Sequence, residues 1–136
     1  MTDAKYTSRT ENVGQFRCET TYAPSGVKTY TDLSVNYGGK AEYPPPGVML
    51  GATLASCMIS LLSVVAERKG VDLKGMRILA QPVESDQGIE KIELKVIMPL
   101  PGDHPLRPML EKTAHACPVK RALREGLDTP IIWEWK

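Results

Sequence analysis

Between Val48 and Ala66 the chain carries no charged residue, and Leu50, Leu54, Cys57, Met58, Leu61 and Val65 recur there at the spacing of one helical stripe. The length approaches that of a bilayer span, but Gly51, Thr53, Ser56, Ser60 and Ser63 interrupt it. The pattern therefore predicts a helix buried against a sheet or another helix. Pro44-Pro45-Pro46-Gly47 cannot continue a strand or a helix interior and marks the entry. The helix should run to about Lys69, where Gly70 offers a left-handed cap.

Strand patterns flank this helix. Gln15–Tyr22 and Val27–Leu33 surround Ala23-Pro24-Ser25-Gly26, a hairpin loop by composition. A second hairpin is predicted from Met76–Glu84 and Ile89–Met98 around Ser85-Asp86-Gln87-Gly88. In its later strand Ile92, Leu94, Val96 and Met98 alternate with Lys91, Glu93, Lys95 and Ile97, as expected for a sheet with one face in water. Leu106, Met109, Leu110, Thr113 and Ala114 carry helical spacing as far as Ala116. Pro118 opens a short helix with Val119, Ala122 and Leu123, Gly126 ends it, and Ile131–Trp135 closes the chain as a strand. The order β-β-α-β-β-α-α-β is α+β, with antiparallel hairpins and a central apolar helix. Burying that helix and two terminal tryptophans in so short a chain is difficult, and a homodimer that shares the core would ease it.

Composition narrows the class. A chain of 136 residues, 42% hydrophobic and 24% charged, fits one folded domain over residues 1–136. Lys and Arg number 17 against 16 acidic residues, for a net charge of +1, so neither nucleic acid nor a membrane surface is an expected partner. Met1–Arg9 lacks the apolar stretch of a secretory signal, and a cytoplasmic location with reduced thiols is expected. The three cysteines, Cys18, Cys57 and Cys117, are too few and too widely spaced for a disulfide scaffold.

Those cysteines are the candidate chemistry. Cys57 sits on the apolar stripe, either as a small hydrophobe or as a nucleophile. Cys117 directly precedes Pro118, at the N-cap of a short helix, where free N–H groups and the positive dipole end favour a thiolate. Arg17 lies in the first predicted strand, facing water or facing the thiols, where its charge would stabilise a thiolate. Glu42, in the loop before the proline run, is a solvated carboxylate or a partner that holds such an arginine through a bidentate pair. Cys18 neighbours Arg17 by one residue, so its side chain should point to the opposite face and serve packing. Cys18, Cys57, His115 and Cys117 offer metal-binding atoms without the close cysteine spacing of structural zinc sites, and no metal or cofactor is expected.

Two cysteine blocks carry a family resemblance. Leu54-Ala55-Ser56-Cys57-Met58 followed by Ala66-Glu67-Arg68-Lys69-Gly70-Val71-Asp72-Leu73-Lys74-Gly75, and then Leu110-Glu111-Lys112-Thr113-Ala114-His115-Ala116-Cys117-Pro118-Val119-Lys120-Arg121-Ala122-Leu123, resemble the OsmC/Ohr family of osmotically induced and organic-hydroperoxide-resistance proteins. Phe16-Arg17-Cys18, Pro24-Ser25-Gly26 and Gly38-Gly39-Lys40-Ala41-Glu42 match the lead-in of the OsmC-like branch. The resemblance implies an intertwined α+β homodimer with active sites at the subunit interface, and a thiol-dependent organic hydroperoxide reductase. By the same resemblance Cys57 is the peroxidatic cysteine, Cys117 the resolving cysteine and Arg17 the activating arginine.

The outline it implies is a Cys57 sulfenic acid, then a Cys57–Cys117 disulfide reset by a dithiol reductant, a lipoyl group or a small thiol. Many members hold the arginine with a glutamate ten residues before the first cysteine, where this chain has Gly47. Either Glu42 substitutes or the arginine is unanchored. The alternative reading is a non-catalytic relative that binds a small apolar ligand in the interfacial cleft.

Overall fold

The computed structural model describes residues 3–136; Met1 and Thr2, part of the segment expected to lack a signal, lie outside the described residues. The chain divides between Met49 and Leu50 into two compact units.

The first unit is a three-stranded antiparallel sheet, β1 (Ser8–Gly14), β2 (Arg17–Tyr22) and β3 (Val27–Asp32), in that order. The predicted loop joins β2 to β3, pairing Tyr22 with Val27 and, at the far end, Arg17 with Asp32. β1 is an addition to the predicted elements: Ser-Arg-Thr-Glu-Asn-Val-Gly has no apolar alternation, and all seven residues are exposed. The predicted strand start at Gln15 is also corrected. Gln15 and Phe16 have φ of 56° and 62°, so they form a left-handed turn after a register shift between Asn12 and Gly14, and β2 begins at Arg17. β3 stops at Asp32 because Leu33 turns its N–H to the Phe16 carbonyl oxygen at 3.1 Å. Gly39 allows a close approach that no other residue permits, since a Cβ there would stand 1.8 Å from the Leu33 carbonyl oxygen.

The second unit is built on α1 (Pro46–Glu67) from Leu50 onward, β4 (Arg77–Ser85), β5 (Gly88–Ile97), α2 (Arg107–Thr113), α3 (Pro118–Leu123) and β6 (Ile131–Glu134). Leu54, Met58, Leu62 and Ala66 of α1 share one fully buried cluster with Ile92, Leu94 and Val96 of β5 and with Leu110, Ala114 and Cys117. Gly51 lets α1 approach the sheet closely: a Cβ there would lie 3.3 Å from the Ala80 Cβ. The buried stripe is Gly51, Leu54, Ala55, Met58, Leu62 and Ala66, rotated from the predicted one, so that Leu50, Cys57, Leu61 and Val65 flank the core half-buried. The pattern conceals this rotation because α1 is apolar nearly all round. Its 22 residues have the length and composition of a bilayer span, while this stripe lies in the protein core.

α1 ends at Glu67 rather than Lys69. Gly70, at φ 74°, and Val71 return their N–H groups to Glu67 and Ala66, both at 2.9 Å. β4 and β5 form the predicted hairpin. β6 runs parallel to β5, a direction the sequence pattern leaves open: the segment carrying α2 and α3 crosses over before β6 enters the sheet. The helix predicted to reach Ala116 is α2 followed by a 3₁₀ turn, Ala114–Ala116, which halts at Cys117 because the residue before Pro118 is driven to an extended ψ of 125°. Trp133 and Trp135 stack at 6.0 Å, half-buried, and the Trp135 indole N–H donates to Glu111 at 3.2 Å.

Candidate functional site

The predicted site residues fall into two pairs, one in each unit. Cys57 and Cys117, sixty residues apart in sequence, come together in the second unit: Cys57 packs against the buried cluster that contains Cys117, and both are free thiols. α1 presents Cys57 on the half-buried flank of its core stripe. The break between the 3₁₀ turn and α3 places Cys117 in the core itself, with no solvent exposure.

The setting of Cys117 reverses one expectation. An N-cap position should favour the thiolate, and the N–H groups of Lys120 and Val119 do pull in that direction, although no side-chain cap hydrogen bond closes. Burial is the larger influence, and with the nearby Cys57 side chain it pushes the Cys117 thiol up. Cys117 is thus held protonated, a reserve thiol rather than a standing nucleophile.

In the first unit Arg17 and Glu42 come together around a residue that the sequence pattern does not single out. The Arg17 Nε donates to Asp32 Oδ1 at 2.8 Å and Nη2 donates to Asp32 Oδ2 at 2.9 Å, a bidentate pair. The same Nη2 donates to Glu42 Oε1 at 2.7 Å, and the guanidinium lies 4.7 Å from the centroid of the Tyr43 ring. Asp32 is 1% exposed, and its Oδ2 also accepts the backbone N–H groups of Glu42 and Tyr43, both at 3.0 Å. One carboxylate therefore fixes both the arginine and the loop that brings Glu42 to it. The Arg17 guanidinium, with those two N–H groups, holds the Asp32 carboxyl well below the usual carboxylate range against the opposing effect of burial. Asp32, then Glu42, raise Arg17 further above its ordinary value.

The sequence does hold a signal for Asp32. Counting outward across the hairpin loop from Tyr22 opposite Val27 places Arg17 opposite Asp32. The Arg17 Nη1 makes no hydrogen bond or ion pair among the described residues, which leaves donors for a ligand. Cys18 also lies in the first unit, half-buried and in register with Thr31 and Asn12. Among the described residues no three His, Cys, Asp or Glu side chains are grouped to hold a metal ion. His104 serves its own turn, where its Nδ1 accepts the Leu106 N–H at 3.1 Å just before α2.

The family model described as OsmC-like protein matches residues 39–131. Among solved structures, a Psychrobacter arcticus 273-4 protein provisionally named for osmotic stress induction and detoxification response is similar with a TM-score of 0.88 at 23% identity, covering 94% of this chain and 95% of its own. An organic hydroperoxide resistance protein OsmC from Legionella pneumophila superposes with a TM-score of 0.72 at 17% identity, over 93% and 94% of the two chains. One from Elizabethkingia anophelis gives 0.71 at 19%, over 96% and 97%. At these identities the likeness is one of fold. No protein of curated function matches the sequence.

Proposed function

This chain belongs to the OsmC-like protein family, and from that premise we propose that it is a thiol peroxidase that reduces organic hydroperoxides to alcohols. The observation that carries the reading is that Cys57 and Cys117, far apart in sequence, pack in and against one buried cluster of the second unit. Cys57, half-buried, is the sulfur a peroxide reaches; Cys117, buried and protonated, waits behind it.

In the first step the Cys57 thiolate attacks the terminal peroxide oxygen. The O–O bond breaks, its electron pair leaves with the alkoxide, which takes a proton to become the alcohol, and Cys57 becomes a sulfenic acid. Cys117 then attacks the Cys57 sulfur, water leaves, and the disulfide forms. A dithiol, lipoyl or small, restores both thiols. Arg17 keeps in this proposal the part of activating arginine that the family resemblance gives it, with uncommitted Nη1 donors for an anionic group. Its bidentate hold by Asp32 and the further bond to Glu42 supply the anchor that Gly47 does not, so the non-catalytic reading loses the observation that motivated it.

The reading includes a homodimer and a reducing compartment, the cytoplasm. The dimer is supported by the first unit, where no apolar side chain among the described residues is buried while Phe16, Tyr22, Val27 and Tyr37 are all more than half exposed, at 61%, 53%, 59% and 71%. A second copy would cover such a surface. The test is the consumption of cumene hydroperoxide in the presence of a dithiol. Turnover is expected in the parent and a loss of at least about a thousandfold in Cys57→Ser; equal rates in both would refute the reading.

A further inference from the structure

A cavity of about 630 Å³ opens in the second unit between α3 and the start of β5, and neither Cys57 nor Cys117 lines it. Its volume is that of a small-molecule site. The charged lining comes from two directions. Arg121 and Arg124 stand three positions apart at the end of α3, on one helical face, and His115 joins them from the preceding 3₁₀ turn. Glu90 belongs to β5, and Asp128 is tied beside it: the Asp128 N–H donates to the Glu90 carbonyl oxygen at 3.3 Å, and Asp128 bridges to Lys91 in parallel register. The helix side is thus basic and the strand side acidic.

Lys120, half-buried, crosses from one side to the other. Its Nζ donates to the Thr129 carbonyl oxygen at 2.8 Å and also to the Thr129 Oγ1, and Thr129 is 7% exposed. The ammonium is fixed on the strand side, where it offsets one of the two carboxylates and leaves the other. Opposite charges that share a cavity ordinarily pair, and here they do not: among the described residues Arg121, Arg124, Glu90 and Asp128 form no ion pair. The two guanidiniums repel each other at their spacing. A lone anion would suit them but face the carboxylates, and a lone cation would do the reverse. A ligand that satisfies both sides carries one charge of each sign at separate ends, because the sides do not reach each other. A single α-amino acid holds its charges too close together, whereas an extended peptide gains about 3.3–3.6 Å per residue. Leu127, half-buried in the same lining, offers an apolar contact for its middle.

We propose that this cavity binds a short free peptide, its terminal carboxylate held by Arg121 and Arg124 and its terminal ammonium by the carboxylates of Glu90 and Asp128. Guanidinium forks match a carboxylate through two parallel hydrogen bonds, which gives the α3 side its preference for the carboxyl end. The site uses neither cysteine, so absence of peroxidase turnover leaves it standing, and failure of peptide binding leaves the peroxidase reading standing.

The test titrates the full, isotope-labelled chain with triglycine and follows amide chemical shifts. The shifts around α3 and Asp128 should saturate with a Kd of about 1 mM or tighter, and N-acetyl-triglycine and triglycine amide, each lacking one charge, should bind about tenfold more weakly. Arg121→Gln with Arg124→Gln should weaken triglycine about tenfold. Glu90→Gln should weaken triglycine about threefold yet leave N-acetyl-triglycine unchanged or tighter, a reversal that a merely structural role would not produce. Inorganic phosphate or N-acetyl-triglycine binding as tightly as triglycine would make the cavity a plain anion site and overturn the proposal. Triglycine amide binding as tightly, or shifts that do not saturate by about 10 mM triglycine, would overturn it as well. The ligand series is run on the parent chain, so it decides the matter even where a variant fails to fold.

Discussion

The two units solve opposite problems with opposite means. The second buries a continuous apolar cluster from Leu54 to Cys117, with Cys117 inside that cluster and Cys57 at its margin, so packing holds the candidate site. The first buries no apolar side chain among its described residues; its one buried group is a carboxylate, Asp32, and hydrogen bonds hold its site. The cations differ accordingly. Arg17 meets two carboxylates and is fixed in direction, while Lys120, in the second unit, donates to two neutral oxygens of Thr129. A site built on ions should respond to pH and to single atoms, whereas a site built on packing should respond to lost volume.

The largest test of that contrast is Leu62→Ala in the second unit. Leu62 is fully buried, and the truncation should cost about 2–5 kcal/mol in urea unfolding while leaving the pH dependence of stability unchanged in shape. Next in size is Asp32→Asn. It keeps volume and removes charge, so the bidentate hold on Arg17 is lost and kcat/KM for cumene hydroperoxide should fall by about tenfold or more, in steady-state assays of folded protein.

The same variant sharpens the pH arm. The Asp32 carboxyl is depressed in the folded chain, so its contribution is fully present above the unfolded-state value of about 4 and fades as pH falls through the acid range. Thermal midpoints of the parent should therefore drop more steeply than those of Asp32→Asn between about pH 5 and pH 2. Parallel curves would break the comparison. The smallest effect belongs to Glu42→Gln: the carboxylate is 63% exposed, so activity should change by no more than about threefold, and less at high salt.

Sequence patterning is informative where the chain itself buries its apolar residues and poor elsewhere. The long helix, both hairpin loops and the proline that opens α3 are legible because turn residues and helical spacing act locally. β1 is not, since Ser8–Gly14 pairs through backbone groups while its side chains stay in water. Nor is the direction of β6, because Ile131–Trp135 has the same alternation whether its neighbour runs parallel or antiparallel. In the site, the cysteine blocks point to Cys57 and Cys117 through a resemblance, but the protonated state of Cys117 depends on burial supplied by residues far away in sequence. Asp32 is within reach of register counting. Its role escapes the pattern because an acidic residue at a strand end ordinarily faces solvent, and only the fold makes this one the buried partner of Arg17.

β1 also forms the outer margin of its sheet, with no strand on its far side among the described residues. Such a border offers free backbone donors and acceptors to any passing chain, the starting condition for fibril growth. Here Arg9 and Glu11, paired at 2.8 Å and both well hydrated, sit along that border. An intruding strand would have to strip water from both charges before its first ladder bond formed, so the polar character that conceals β1 from pattern reading also protects the chain from templated aggregation.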